Sequence, residues 1–365
     1  MKKQRHLLLT LLTAIFFINC SGKPTIPKPI QNHPSVVQNP PKILYPTIAT
    51  TPVSVNNQEA LGTAIKKIPI PPIPVSPVKE IIKKRPNHQN SRVRGTTLLS
   101  KKFKLPNTIK ESSALIKLDS RLWTLNDSGG KAKLYQISEI NGHIIKTITI
   151  KGAYNHDWEA LTYDENYVYI GDFGNNKGNR RDLKIYKIPR KDLKNRKSTR
   201  AQVIHFRYSD QENFRSRSRK HNFDCEAMVA YHGKLYLFTK DWQDHKTRLY
   251  ELSTRAGKQT AKYKDSFNVQ GLITDASINK ELDILLLSSY SELLSVNVWT
   301  FANFKQANFF KGSSKKLTLN SLNGQIEGIT FIDNYKAYLS SEAFSRYIFS
   351  FDANLYKIDF SREFK

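Results

Sequence analysis

Acidic side chains recur in this chain in a pattern that suits a hard cation. Asp157-Trp158-Glu159 and Asp224-Cys225-Glu226 share a D-x-E spacing, which on an extended backbone puts both carboxylates on one side. Glu111, Asp275 and Glu327 stand at comparable places ahead of apolar runs. A second set follows other apolar runs: Asn126-Asp127, Asp172 with Asn175 and Asn176, Asp241, and Glu342. Brought together, carboxylates repel, and protonation or a cation must relieve the repulsion. Carboxylate and amide oxygens favour Ca²⁺, which takes about six to eight such ligands in a flexible shell. No His/Cys group has the spacing of a zinc site. The candidate metal ligands are Glu111, Asn126, Asp127, Glu159, Asp172, Asn175, Glu226, Asp275 and Glu327. The alternative is that these acids only line a hydrated channel or accept hydrogen bonds from loop amides.

The elements that must position them form a repeat. An apolar–aromatic–any–apolar pattern occurs as Leu134-Tyr135-Gln136-Ile137, Ile185-Tyr186-Lys187-Ile188, Leu249-Tyr250-Glu251-Leu252, Val298-Trp299-Thr300-Phe301 and Leu355-Tyr356-Lys357-Ile358. A second strand-like run precedes each copy, such as Leu122–Leu125 and Leu235–Phe238, and a third precedes that. The runs are short, β-branched and aromatic, with turn residues such as Asp164-Glu165-Asn166 between them. Antiparallel strands repeating at this length imply radial repetition. The expected fold is all-β, a β-propeller of five blades, or six if the long interval Glu159–Glu226 hides a degenerate one. The last repeat stops after its third strand, so a strand at Thr97–Leu105 should complete the last blade and close the ring. With the first strand of each blade innermost, Ser113, Glu159, Glu226, Asp275 and Glu327 should ring the central channel on one face.

Glu111-Ser112-Ser113-Ala114-Leu115, Trp123 to Gly130, Asp157-Trp158-Glu159-Ala160-Leu161 and Gly171 to Asn176 resemble bacterial secreted propeller lipoproteins described as phytase-like or esterase-like. The resemblance runs over about 105–360 and is strongest in the first two repeats. More distantly the chain is similar to calcium-dependent propeller hydrolases, the gluconolactonases and paraoxonases. The resemblance implies a channel Ca²⁺ held by Glu, Asn and Asp more firmly than it implies a reaction.

If the protein is an enzyme, the chemistry is metal-assisted hydrolysis of a phosphate ester or lactone. His156 and His221, each shortly before a strand-one acid, are the candidate catalytic bases. Arg180 and Arg181 in one loop, and Arg215, Arg217 and Arg219 in another, should lie on the acidic face and bind an anionic substrate. The competing class is a non-catalytic module that presents this face to an envelope or extracellular partner. Cys225, set among acids, reads as a small buried side chain rather than a nucleophile.

The N-terminal part of the chain addresses location. A basic start, an apolar run from Leu7 to Ile18 and then Cys20 read as a lipoprotein-type signal over 1–20, too short to span a bilayer as a helix. Cys20 is the expected lipidation site, although Asn19 departs from the small residue usual before it. Fourteen of the sixteen prolines fall between Pro24 and Pro86, so 21–95 reads as an extended tether and 96–365 as the folded domain. Cys225 is the one other cysteine, which excludes a disulfide within that domain. The expected product is an exported, lipid-anchored monomer, at the outer membrane if the cell is Gram-negative. The net charge of +27 would suit nucleic acid, but export argues instead for anionic lipid, polymer or small-molecule partners.

Overall fold

A computed structural model describes residues 98–291, 295–323, 325–346 and 349–361. The expected signal segment 1–20 with Cys20, and the tether 21–95, lie outside the described residues. No helix among the described residues is long and apolar enough to cross a membrane.

The fold is nearly all-β and propeller-like. Strand β1 (Leu98–Lys104) comes first, and four-stranded antiparallel meanders follow it. The first meander holds β2 (Ser112–Leu118), β3 (Arg121–Asn126), β4 (Lys133–Ile137) and β5 (Ile144–Lys151). The second holds β6 (Trp158–Tyr163), β7 (Tyr167–Asp172) and β8 (Lys184–Pro189). A short helix, Arg190–Asn195, and strand β9 (Ser198–Arg200) then lead to its outer strand β10 (Gln202–Tyr208). The long interval thus contains the helix and β9, and β9 adds to the edge of the first sheet by pairing parallel with β5.

The third meander is β11 (Cys225–Tyr231), β12 (Lys234–Thr239), β13 (Thr247–Ser253) and β14 (Gly257–Phe267). Its outer strand pairs parallel with β10, which joins the second and third meanders into one eight-stranded sheet. The fourth is β15 (Leu272–Asn279), β16 (Ile284–Tyr290), β17 (Ser295–Ala302) and β18 (Ser313–Asn323). The last is β19 (Ile326–Asp333), β20 (Lys336–Ser341), a small hairpin of β21 (Phe344–Arg346) and β22 (Phe349–Phe351), and β23 (Asn354–Asp359). Its fourth place is taken by β1, antiparallel to β23, with Phe103 opposite Leu355.

The core explains why the inner strands read as nearly unbroken apolar runs. Successive side chains on a strand point to opposite faces, and here both faces are covered. On β2, Ala114, Ile116 and Leu118 face the second meander, in a cluster with Trp158, Leu161 and Ile170. Leu115 faces the last meander, in a cluster with Tyr338 and Leu355. Similar apolar wedges separate the second from the third meander, the third from the fourth, and the fourth from the last. Trp123 and Trp158 are fully buried in the first wedge, where truncating either to alanine costs about 3–5 kcal/mol.

The first strands of the meanders touch in a closed cycle: β2 with β6, β6 with β11, β11 with β15, β15 with β19, and β19 with β2. Their inner edges carry amides that no strand pairs, a liability in any open sheet edge. Hydroxyls on the neighbouring strand accept several of them. Thr162 Oγ1 takes the Ala230 amide at 3.0 Å, Ser277 Oγ the Phe331 amide at 3.2 Å and Thr330 Oγ1 the Lys117 amide at 2.9 Å. Each hydroxyl lies three residues after a bulge described below, so the arrangement repeats around the cycle.

Candidate metal centre

Every inner strand begins with a one-residue register slip against its second strand. The slips fall between Ser112 and Ala114, Trp158 and Ala160, Cys225 and Ala227, Ile273 and Asp275, and Ile326 and Gly328. A bulge leaves its extra residue unpaired and re-aims its side chain. The extra residues are Ser113, Glu159, Glu226, Thr274 and Glu327. One step past the second-strand partner of the residue before each slip lies a companion set: Asp127, Phe173, Lys240, Tyr290 and Glu342. These two sets define the acidic face.

Asp275 lies one residue past the bulge and has a different part. Its Oδ2 accepts the amide of Ile329 at 2.8 Å and that of Leu115 at 3.4 Å. It ties three inner strands together and is fully buried.

Three carboxylates converge: oxygens of Asp127, Asp157 and Glu159 lie within 4.8 Å of one another. Asn155 fixes the two loops that carry Asp127 and Asp157 at the start of β6. Its amide donates to the carbonyls of Asn126 at 2.9 Å and Asp127 at 2.7 Å, while its oxygen accepts the Trp158 amide. The Glu159 carboxylate also accepts the Ser113 hydroxyl at 3.0 Å. Gly174 forms the wall behind. A Cβ there would stand 2.5 Å from both Asp157 Oδ2 and Glu159 Oε1, so this close approach requires glycine.

The electrostatics favour a cation. Burial, then the charges of Asp127 and Asp224, push the Asp157 carboxyl up to about 8. Burial takes Asp127 to about 6. Burial, then Asp127, Glu226 and Asp157, holds Glu159 well above the usual carboxylate range. No lysine or arginine forms an ion pair with these three among the described residues. The donor set is all oxygen, as Ca²⁺ prefers, and Asn126 Oδ1 beside Asp127 is buried with no hydrogen-bond partner. The residues present therefore fit the ion.

The other half of the face holds its own cation. Lys240 Nζ is 3.3 Å from Glu226 Oε2, and both side chains are buried. Burial lowers the amine's pKa, but Glu226, Tyr290, Glu327 and Asp224 outweigh it and raise the pKa well above the usual lysine value. Burial brings Glu327 to about 7, with Lys240 pulling the other way. Glu342 is likewise raised, first by burial and then by Glu327.

The remaining candidates have partners of their own. Asp172 is paired with Arg180 at 2.9 Å and Lys184 at 3.6 Å. Arg180 also donates to the Gly174 carbonyl at 2.8 Å and pairs with Asp182, so it braces the centre from behind. Asn175 spans from the Phe223 carbonyl to the Arg180 amide. Glu111 is only partly buried, pairs loosely with Lys110 at 3.7 Å, and its carbonyl accepts the Asp127 amide. His221 is buried, with Nδ1 accepting the Phe223 amide and Nε2 3.2 Å from the Asn176 carbonyl. His156 is half exposed, 3.4 Å from Asp182. Cys225 is fully buried, and burial first of all raises its thiol pKa.

The arginine loop sits beside the centre. The Arg219 amide donates to Asn176 and the Arg217 amide to Lys177, so segment 174–177 touches the carboxylates at one end and this loop at the other. Arg219 stacks 4.9 Å from the Trp242 ring, whose Nε1 donates to Asp224. Arg217 Nε and Arg219 Nη1 are buried without a hydrogen-bond partner. Arg181 stacks 3.8 Å over Phe214 in a separate outer cleft, and Arg215 is exposed.

Asp157, noted for its D-x-E spacing, and Lys240 both stand outside the ligands expected from the sequence. Lys240 is basic in a pattern of acids, yet aligning Leu237-Phe238-Thr239-Lys240 on Thr124-Leu125-Asn126-Asp127 sets Lys240 beneath Asp127.

The fold and the face together describe a propeller-like β protein with a carboxylate centre at one end of its inner strands. No protein-family model matches the chain, and no curated protein sequence matches it. Among solved structures it is similar to hydrazine synthase of Kuenenia stuttgartiensis, with TM-score 0.35 and 8% identity over 65% of this chain, spanning 57% of that one. It is also similar to a 6-phosphogluconolactonase-like protein of Bacteroides uniformis, with TM-score 0.33 and 13% identity over 69% of this chain and 68% of that one.

Proposed function

We propose that the protein is a five-bladed propeller that holds one Ca²⁺ at Asp127, Asp157 and Glu159 and uses it to bind an anionic ligand. The observation that carries this reading is the convergence of those three carboxylates, with oxygens within 4.8 Å and no ion-paired base among the described residues. The closed cycle of inner strands and the β1–β23 pairing support five blades. The ligand would sit between the centre and the arginine loop, where Arg217 Nε and Arg219 Nη1 have donors to offer. Bound there, Ca²⁺ would polarise a phosphoryl or carbonyl oxygen.

Binding is favoured over turnover, because His221 has both ring nitrogens engaged and His156 stands with Asp182. Hydrolysis of a phosphate ester or lactone is the second reading, and the unpartnered arginine donors are what favour it. The signal-like start and Cys20 support export and lipid anchoring. The expected sign is palmitate incorporation that Cys20→Ser abolishes.

The test is thermal unfolding of the protein stripped with a chelator and then titrated with Ca²⁺. At a hundredfold excess over Kd the ion stabilises by about 2.7 kcal/mol. That raises the Tm of a domain this size by roughly 5–10 °C. A flat titration sinks the reading.

A further inference from the structure

We propose that the outer cleft at the seam of the second and third meanders is a second ligand site, where Arg181 and Arg207 hold the sulfate group of a small sulfate ester. The site is independent of the proposed Ca²⁺ centre, since Asp127, Asp157 and Glu159 do not line it.

The parallel pairing of outer strands β10 and β14 builds the cleft. It sets Arg207 opposite Thr260, and both line the cavity. β10 ends at Tyr208, and the loop beyond it brings Phe214 to Arg181, whose guanidinium lies 3.8 Å from the ring centroid. The cavity measures about 420 Å³, within the ~300–1,000 Å³ of small-molecule sites. Buried Leu183 and Phe206 give it an apolar lining for the organic part of a ligand. The frame is held by hydrogen bonds of its own. Ser209 accepts the Tyr263 amide on its hydroxyl at 3.2 Å and gives its own amide to the Ala261 carbonyl at 2.9 Å. Gln211 is buried and donates to the Gly178 carbonyl at 3.0 Å. A site on segments already fixed loses little order on binding.

Two cations in this cleft have no acid of their own. Arg180, also in the lining, is committed to Asp172 and Asp182. Arg181 and Arg207 form no ion pair among the described residues. The stack on Phe214 steadies Arg181 without engaging an oxygen acceptor. Arg207 engages only Nε, at 3.5 Å from Thr260 Oγ1. Both guanidinium groups therefore keep donors for an oxyanion. Two such forks suit a tetrahedral group with three terminal oxygens better than a carboxylate with two. Glu212 is the one acid in the lining, and it is exposed. Arg181 and Arg207 less Glu212 leave one positive charge. A sulfate ester balances that charge as a monoanion, whereas a phosphate monoester, at about −1.5 to −2 near neutral pH, exceeds it.

The experiment is calorimetric titration of the full chain, in chelator, with phenyl sulfate as the probe and phenyl phosphate and benzoate beside it. The wild type is expected to bind phenyl sulfate more tightly than either. Arg181→Ala and Arg207→Ala should each weaken it about tenfold, the worth of one charge-assisted hydrogen bond. Arg207→Lys keeps the charge but not the fork and should fall between. Glu212→Gln should tighten binding about threefold, as for an exposed charge, and should favour phenyl phosphate more than phenyl sulfate. Arg181, Arg207 and Glu212 are exposed, so these variants should keep the wild-type Tm. Asp157→Asn and Arg217→Ala should leave phenyl sulfate binding unchanged, whatever the outcome of the Ca²⁺ titration. The inference is overturned if millimolar phenyl sulfate does not bind, or if phenyl phosphate or benzoate binds the wild type as tightly. It is also overturned if binding survives Arg207→Ala but is lost in Arg217→Ala or Asp157→Asn.

Discussion

The Asp275 carboxylate accepts the Ile329 amide at 2.8 Å across the gap between two neighbouring inner strands. The same oxygen takes the Leu115 amide from a third. Asp275 thus acts as a knot among inner strands, independent of any cation on the acidic face. Asp275→Ala leaves two buried amides without an acceptor, each costing about 1–3 kcal/mol. The expected result is a loss of about 2–5 kcal/mol in chemical denaturation, with the Ca²⁺-induced shift in Tm kept. A loss of the Ca²⁺ response alone would place Asp275 in the metal centre instead.

Gly174→Ala tests the centre from the opposite side. The added carbon would stand 2.5 Å from Asp157 Oδ2 and Glu159 Oε1 and must push the carboxylates apart. The expected result is a fall in Ca²⁺ affinity of at least tenfold, roughly 1.4 kcal/mol, read by calorimetry. Unchanged affinity would mean that these two carboxylates do not act together on the ion.

Arg180→Ala should act through position rather than contact. It removes the partner of buried Asp172 and the donor to the Gly174 carbonyl. Breaking a buried pair from one side costs about 3–5 kcal/mol, and Lys184 at 3.6 Å from Asp172 recovers part of it. The expected outcome is lower stability together with weaker Ca²⁺ binding. The stability loss should persist in saturating Ca²⁺.

The pH dependence has a definite sign. Asp127, Asp157 and Glu327 have folded values of about 6, 8 and 7, above the ordinary 3.8 or 4.5. Between about pH 4 and pH 8 the native state holds protons that the unfolded chain has released. Stability therefore falls as pH rises through that window. At the proposed centre Ca²⁺ replaces the protons of Asp127 and Asp157, so their part of the fall is expected in chelated protein and should vanish in saturating Ca²⁺, while the part due to Glu327 remains, as read from Tm against pH. Parallel profiles with and without the ion would contradict this.

Much of the architecture is written in short apolar runs, because inner strands buried on both faces must be apolar throughout. Glu159, Glu226 and Glu327 could be aligned from the sequence since each opens such a run. Asp275 was aligned with them, yet the register puts Thr274 there. A bulge adds one residue without interrupting the apolar pattern, so its place is invisible until the strand is paired. Asp157 and Asp127 come together through Asn155, a contact between loops that no local pattern encodes. Asp224 repeats the D-x-E spacing of Asp157 but is tied to Trp242, so one motif serves two purposes.

The pairing of β1 with β23 has a consequence for how the domain is made. The partners come from opposite ends of its sequence, so the last sheet cannot be completed while the chain is still being synthesised. Until the segment around Leu355 appears, β1 has no partner, and the wedge that needs both Leu105 and Leu355 stays open. Early meanders can form locally, but the closing step is long-range and slow to nucleate. A chain threaded N-terminus first through a narrow pore would for that reason remain unclosed until nearly all of it had passed.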